Sequence, residues 1–134
     1  HLFSSAASDV YKRQGKYFTG KTNKFGITDL SWHGTNLNNP DWGNNQSKCL
    51  AMTIGDVAPG SNQSENIHCM FNMHWDAVSF QIPQIEGLKW MRSIDTSLPS
   101  PEDIVDPDKY VEITNTNYLL TGRSVVVLVS RESG

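Results

Sequence analysis

Ser31 to Trp42 reads S-W-H-G-T-N-L-N-N-P-D-W. Two of the chain's four Trp stand at its ends, with a His, a Gly, a Pro and a run of Asn between them. Asn, Gly and Pro belong to turns, and Pro removes a donor from a strand ladder. Trp32 therefore ends a strand, and Gly34 to Asp41 is a loop that returns to a second aromatic. Ile27 to Trp32 alternates, which predicts a first strand with Leu30 and Trp32 inward.

Short alternating runs follow the loop. Ser47 to Ile54 is predicted as a strand with Leu50, Met52 and Ile54 inward. Asn66 to Asn72 follows, with Ile67, Cys69 and Phe71 inward and His68 and Asn72 outward. Ala77 to Ile82 places Val78, Phe80 and Ile82 inside, and Pro83 stops it. Leu88 to Ile94 carries Leu88, Trp90 and Ile94 inward. Asp95 to Asp108, with three Pro and several carboxylates, reads as a long, solvated acidic loop. Tyr110 to Ile113, Asn117 to Leu120 and Arg123 to Ser130 complete the set, the last two joined by Thr121-Gly122 as a hairpin turn. Val125 to Val129 is apolar on both faces, as a central strand requires. No segment after Ile27 sustains a 3.6-residue period. The expectation is an all-β fold, an antiparallel β-sandwich of seven or eight short strands, with Greek-key connectivity as the default.

The totals limit the function. At 134 residues the chain has room for one domain, well short of the roughly 250 residues of a (β/α)8 barrel. A net charge of −3 without a basic stripe argues against a nucleic-acid partner. No apolar run approaches the roughly 20 residues of a membrane-spanning helix, so no membrane partner is expected. Cys49 and Cys69 fall on opposite strand faces and read as free thiols, which favours a reducing compartment.

His1 to Gln14 lacks the apolar centre of a signal peptide. Its end, Asp9 to Gln14, is what GAT GTG TAT AAG AGA CAG encodes, similar to a transposase mosaic end used in preparing sequencing libraries. Residues 1–14 are therefore expected to be adaptor-derived and disordered, residues 15–26 a connecting segment, and residues 27–134 the β-sandwich domain of a truncated C-terminal fragment.

The residue types leave few kinds of chemistry. The carboxylates between Asp95 and Asp108 lie in a Pro-rich loop without an aromatic pocket, so they read as a solvated face and not as a glycosidase pair. His33, His68, His74 and the two Cys lack zinc-ligand spacing, and no G-x-S-x-G elbow is present. No catalytic residue, metal ligand or cofactor is expected. A sugar platform fits better: sugar C–H faces stack on Trp, while Asn, Asp and His bond hydroxyls. Trp32, His33, Asp41 and Trp42 are the candidates for substrate binding, and Trp75, in a turn, is a second one. The plainer reading, in which Trp32 and Trp42 pack the loop onto the sandwich or a neighbouring domain, carries more weight. The sequons at Asn45 and Asn62 matter only in a secreted protein.

The order of motifs adds what composition could not. I-T-D-L-S-W-H-G at Ile27 to Gly34 is followed by P-D-W at Pro40 to Trp42 and S-K-C-L-A-M-T-I at Ser47 to Ile54. M-F-N-M-H at Met70 to His74, V-S-F-Q-I-P at Val78 to Pro83, W-M-R-S-I-D-T-S at Trp90 to Ser97 and R-S-V-V-V-L at Arg123 to Leu128 continue the series. Together they resemble the C-terminal domain of isoamylase-type glycogen and starch debranching enzymes, of glycoside hydrolase family thirteen. The resemblance implies a parent enzyme hydrolysing α-1,6 branch points by a retaining mechanism, with its Asp nucleophile and Glu acid/base on a (β/α)8 barrel outside this chain. It implies that barrel as the domain's partner, branched α-glucan as a possible second one, and a cytoplasmic location, or a plastid in a plant or alga. The rival expectation is a free-standing carbohydrate-binding module.

Overall fold

The computed structural model describes residues 20–40, 48–56 and 65–133. Eight strands run in chain order: β1 (Ser31–His33), β2 (Cys49–Ile54), β3 (Ile67–Asn72), β4 (Val78–Gln81), β5 (Leu88–Asp95), β6 (Val111–Ile113), β7 (Asn117–Leu120) and β8 (Ser124–Glu132). A 3-10 turn, Pro107–Lys109, is the described helical element. All six strand pairings described are antiparallel, and the fold is all-β. Six strands form one sheet in the order β1-β2-β3-β8-β5-β6, and β4 and β7 form a second, smaller one.

The core lies between the two sheets. Phe80 and Leu120 from the small sheet, with Ile82 just beyond β4, meet Cys49, Ala51, Met70, Trp90, Val126 and Leu128 of the large one. Trp90 also donates its indole N–H to the Pro83 carbonyl at 2.8 Å, so the polar end of a large core residue is satisfied. Val126 and Leu128 are fully buried and Val127 and Val129 nearly so, as expected of the central strand β8. Arg92 on β5 donates to the Tyr118 hydroxyl on β7, and that hydroxyl donates to Asp95, tying the sheets together. Burial and the bond to Asp95 push the Tyr118 hydroxyl up to about 12.

Four expectations need correction. The alternation in β2 and β3 is real, but the faces are exchanged. Cys49 and Ala51 point at the core between the sheets, as do His68, Met70 and Asn72. Leu50, expected inward, lies on the outer face. Ile54, Ile67 and Cys69 form a second cluster there with Ile94 and Val127, and Leu30, Met52, Phe71 and Val125 pack against it. Both faces of this sheet are apolar, so period two alone could not say which one meets the second sheet. Ile94 reaches the outer face because the β5–β8 register shifts between Arg92 and Ile94, a bulge that turns every later side chain over.

Residues 96–109 are mostly exposed, as expected of the acidic loop, but Asp95, expected to open that loop, ends β5 instead. Asp95 is 5% exposed, and Ile94 bridges to Ile104 across the turn. Finally, Thr121-Gly122 does not close a hairpin. β7 pairs with β4 and β8 with β3 and β5, so the chain crosses there from one sheet to the other. The two Cys, read as free, are free, and the register puts them on opposite faces.

Candidate functional site

β1 is an edge strand of the large sheet, and its alternation separates the sugar-binding candidates. Trp32 pairs with Met52 on the outer face and is 39% exposed. His33, the next residue, pairs with Ala51 and points the other way, where it is 4% exposed. The structure therefore does not bring Trp32 and His33 together. Asp41 and Trp42 lie outside the described residues, as do residues 1–14.

His33 belongs instead to a buried polar line that sequence spacing did not reveal. The Asn38 backbone N–H donates to His33 Nδ1 at 2.8 Å. Because a backbone N–H can only donate, Nδ1 is bare and the ring proton sits on Nε2. That N–H donates to Thr53 Oγ1 at 2.9 Å, and the Thr53 hydroxyl in turn donates to His68 Nδ1 at 2.8 Å. The His68 proton is then on Nε2, a fully buried atom without a partner among the described residues. The His68 ring lies 5.6 Å from His33 and 5.8 Å from Trp90, between centroids. Each step is directional, so one backbone N–H sets the tautomers of two histidines 35 positions apart in the chain.

Burial holds the His68 imidazole down to about 3, with the neighbouring His33 adding to the effect, and burial also lowers His33. Both rings are neutral in the folded protein at neutral pH. The unfolded chain binds their protons near pH 6.5, so it gains protons that the folded chain refuses as pH falls. Stability from His68 is complete above about pH 6.5 and drains away down to about pH 3, by at most about 1.4 kcal/mol per pH unit. Urea midpoints should fall measurably between about pH 7 and pH 5, above the range in which carboxylates dominate. A flat midpoint over that interval would contradict the buried, neutral assignment.

Asn72 organises the opposite end of the same face. Its Oδ1 accepts from the His74 N–H at 3.0 Å and from Cys49 Sγ at 3.7 Å. Its Nδ2 donates to the carbonyls of Asp76, Leu120 and Thr121 at 3.0 to 3.3 Å. One buried amide thus clamps the β3–β4 turn to the β7–β8 crossing. Gly122 lies in the same junction, where an added Cβ would come within 1.9 Å of the Trp75 carbonyl oxygen. Trp75 projects from this junction and is 76% exposed. At the far end of β4, Pro83, Ile85, Trp90 and Ile113 help to line an open groove of about 580 Å³.

Among the described residues no group of three or more His, Cys, Asp or Glu could hold a metal ion. Among the described residues, the exposed Trp32 and Trp75 rings lie at positions a partner could reach, while His33 and His68 are locked inside.

Three relatives align with most of this region. Isoamylase 3, chloroplastic, of Oryza sativa subsp. japonica is 34% identical over 104 residues, 77% of this chain and 12% of the relative. Isoamylase 2, chloroplastic, of the same plant is 28% identical over 103 residues, 74% of this chain and 13% of the relative. Isoamylase 1, chloroplastic, of Arabidopsis thaliana is 32% identical over 79 residues, 59% of this chain and 9% of the relative. The chain thus spans only about an eighth of the length of the first two. The family pattern described as "Isoamylase 1-3, C-terminal" matches residues 31–125, from the first strand to the start of β8. This chain belongs to the isoamylase 1-3 C-terminal domain family.

Proposed function

We propose that this domain is the accessory C-terminal part of a glycogen or starch debranching enzyme, whose catalytic (β/α)8 domain hydrolyses α-1,6-glucosidic branch points. The observation that carries the reading is the family match over residues 31–125 in a chain spanning about an eighth of its relatives. On this reading the catalytic Asp and Glu stand on the barrel. Its role is to pack against the barrel and steady it. Residues 27–134 form the domain and residues 15–26 connect it to the barrel.

The outer face of the six-stranded sheet supports a docked partner. Leu30, Met52, Phe71 and Val125 are only half-buried there, and Trp32 and Ile104 are exposed. This surface is not uniformly polar, and apolar sheet faces of that kind are covered in working proteins. Trp32, on edge strand β1, is the sugar-binding candidate found at the described surface, and it is assigned to the barrel contact or to glucan held beside it. The relatives' chloroplastic location supports a plastid for a plant or algal parent, and for any other parent we propose the cytoplasm.

The test is the source DNA upstream of the codon for Gly15, followed by expression of the complete gene. The expected result is an open frame running through a (β/α)8 barrel with its Asp and Glu, and a product that releases linear chains from amylopectin. A start codon immediately upstream, or a complete product without action on branch points, would sink the reading.

A further inference from the structure

We propose that Trp75 is a stacking platform for a glucose ring of an α-glucan chain, a binding site separate from the outer sheet face. Its indole is the most exposed of the large apolar side chains described, at 76%. The ring is nevertheless held in place. The Arg123 guanidinium carbon lies 3.6 Å from the ring centroid, close enough to cover one face and leave the other open. Arg123 reaches that position from a left-handed backbone, φ 56°, a conformation that a residue with a Cβ adopts only when its surroundings impose it.

The surroundings here are specific. The Arg123 N–H donates to the His74 carbonyl at 3.0 Å, and Asn72 fixes both turns from below. Gly122 is needed because the Trp75 backbone occupies the place its Cβ would take. A strained residue, a glycine and a buried amide thus fix the backbone from which Trp75 projects, and the Arg123 guanidinium braces the ring itself. A ring free to rotate would lose that order on binding a ligand; this one has little left to lose.

The chemistry around the ring favours a sugar. A glucopyranose presents a flat C–H face and an edge of hydroxyls. The open indole face matches the first, and exposed Asp76 and Thr121 with the Arg123 guanidinium match the second. A protein partner calls for a broad, continuous apolar patch, whereas the exposed apolar residues about this junction, Met73, Ala77 and Leu119, are interspersed in the chain with exposed Asp76, Ser79 and Thr121. The α-glucan class rests on the debranching reading above; the existence of the platform rests on geometry alone.

Affinity electrophoresis of this chain, in native gels with and without glycogen, tests the proposal. Glycogen should retard the native chain, and Trp75→Ala should weaken the interaction roughly tenfold or more, the size of one well-placed aromatic contact. Arg123→Ala should weaken it less, and Val111→Ala, at an exposed apolar residue on β6, should leave it unchanged. Trp75 is exposed, so its Ala variant keeps the native thermal midpoint, and loss of retardation then reports on binding. A native chain that glycogen does not slow overturns the proposal, as does undiminished retardation of Trp75→Ala. Loss of self-association in Trp75→Ala with glycogen binding intact would assign the ring to a protein contact and overturn it equally. None of these failures touches the debranching reading, which is tested on the complete gene product.

Discussion

Thr53→Val should destabilise the domain by about 2–5 kcal/mol, although Val has nearly the shape of Thr. The hydroxyl it removes is the hydrogen-bonded link between His33 and His68. Without it, the His33 Nε2–H has no acceptor and His68 Nδ1 has no donor, both in a region from which water is excluded. Each orphaned group costs about 1–3 kcal/mol, more than the net worth of the bond itself. Packing offers no compensation, because the methyl gained sits between two imidazoles. Urea denaturation at pH 7 reads the change directly. A shift below about 0.5 kcal/mol, the range of neutral surface substitutions, would mean that water reaches these rings.

Asn72→Leu should cost about 3 kcal/mol or more and lower the thermal midpoint by on the order of 10 °C. The direction of the side-chain amide is fixed by its partners. The His74 N–H requires an acceptor, so Oδ1 faces it, and Nδ2 faces the three carbonyls. Leu matches the branching and the heavy-atom count, is bulkier, and supplies none of these bonds. Three carbonyls and one N–H would then have to find water at a junction where Asn72 itself has no exposed surface. The damage should be local as well as global. Amide exchange of the 73–76 turn and the 121–123 crossing should quicken more than that of β8, because those segments lose their shared anchor. Uniform protection across both turns would show that the strands alone hold them.

Strand positions were legible because period two is a local signal. The observed bounds of β2, β3, β5 and β8 lie within two residues of those expected. The core facing was not legible in β2 and β3, because each carries apolar groups on both faces. Hydropathy favoured Leu50 and Met52 over Cys49 and Ala51, yet the smaller pair is what fits beneath Phe80 and Ile82. Ile94 was misplaced because a bulge has no composition of its own. The Thr53 line joins residues 20 and 15 positions apart, a separation that only the register of β1, β2 and β3 closes. His33 looked available for a ligand because its sequence neighbours are loop residues. Its neighbours in space are a threonine and a second histidine. Trp75 was legible as an aromatic in a turn; that Arg123 would lie over it was not, since 48 residues separate them.

The strand order has a consequence for synthesis. Of the eight strands described, β8 is the last to leave the ribosome and the one that joins β3 to β5. Until it emerges, the large sheet consists of the β1-β2-β3 ribbon and the β5-β6 pair with no ladder between them, and each presents an open edge. Closure requires β8 to enter a gap between strands made long before it, a non-local step that is slow and favours errors. A translational stop shortly before Ser124 would therefore release two unpaired edges rather than a slightly shortened sandwich, and such a product is a substrate for chaperones and proteases.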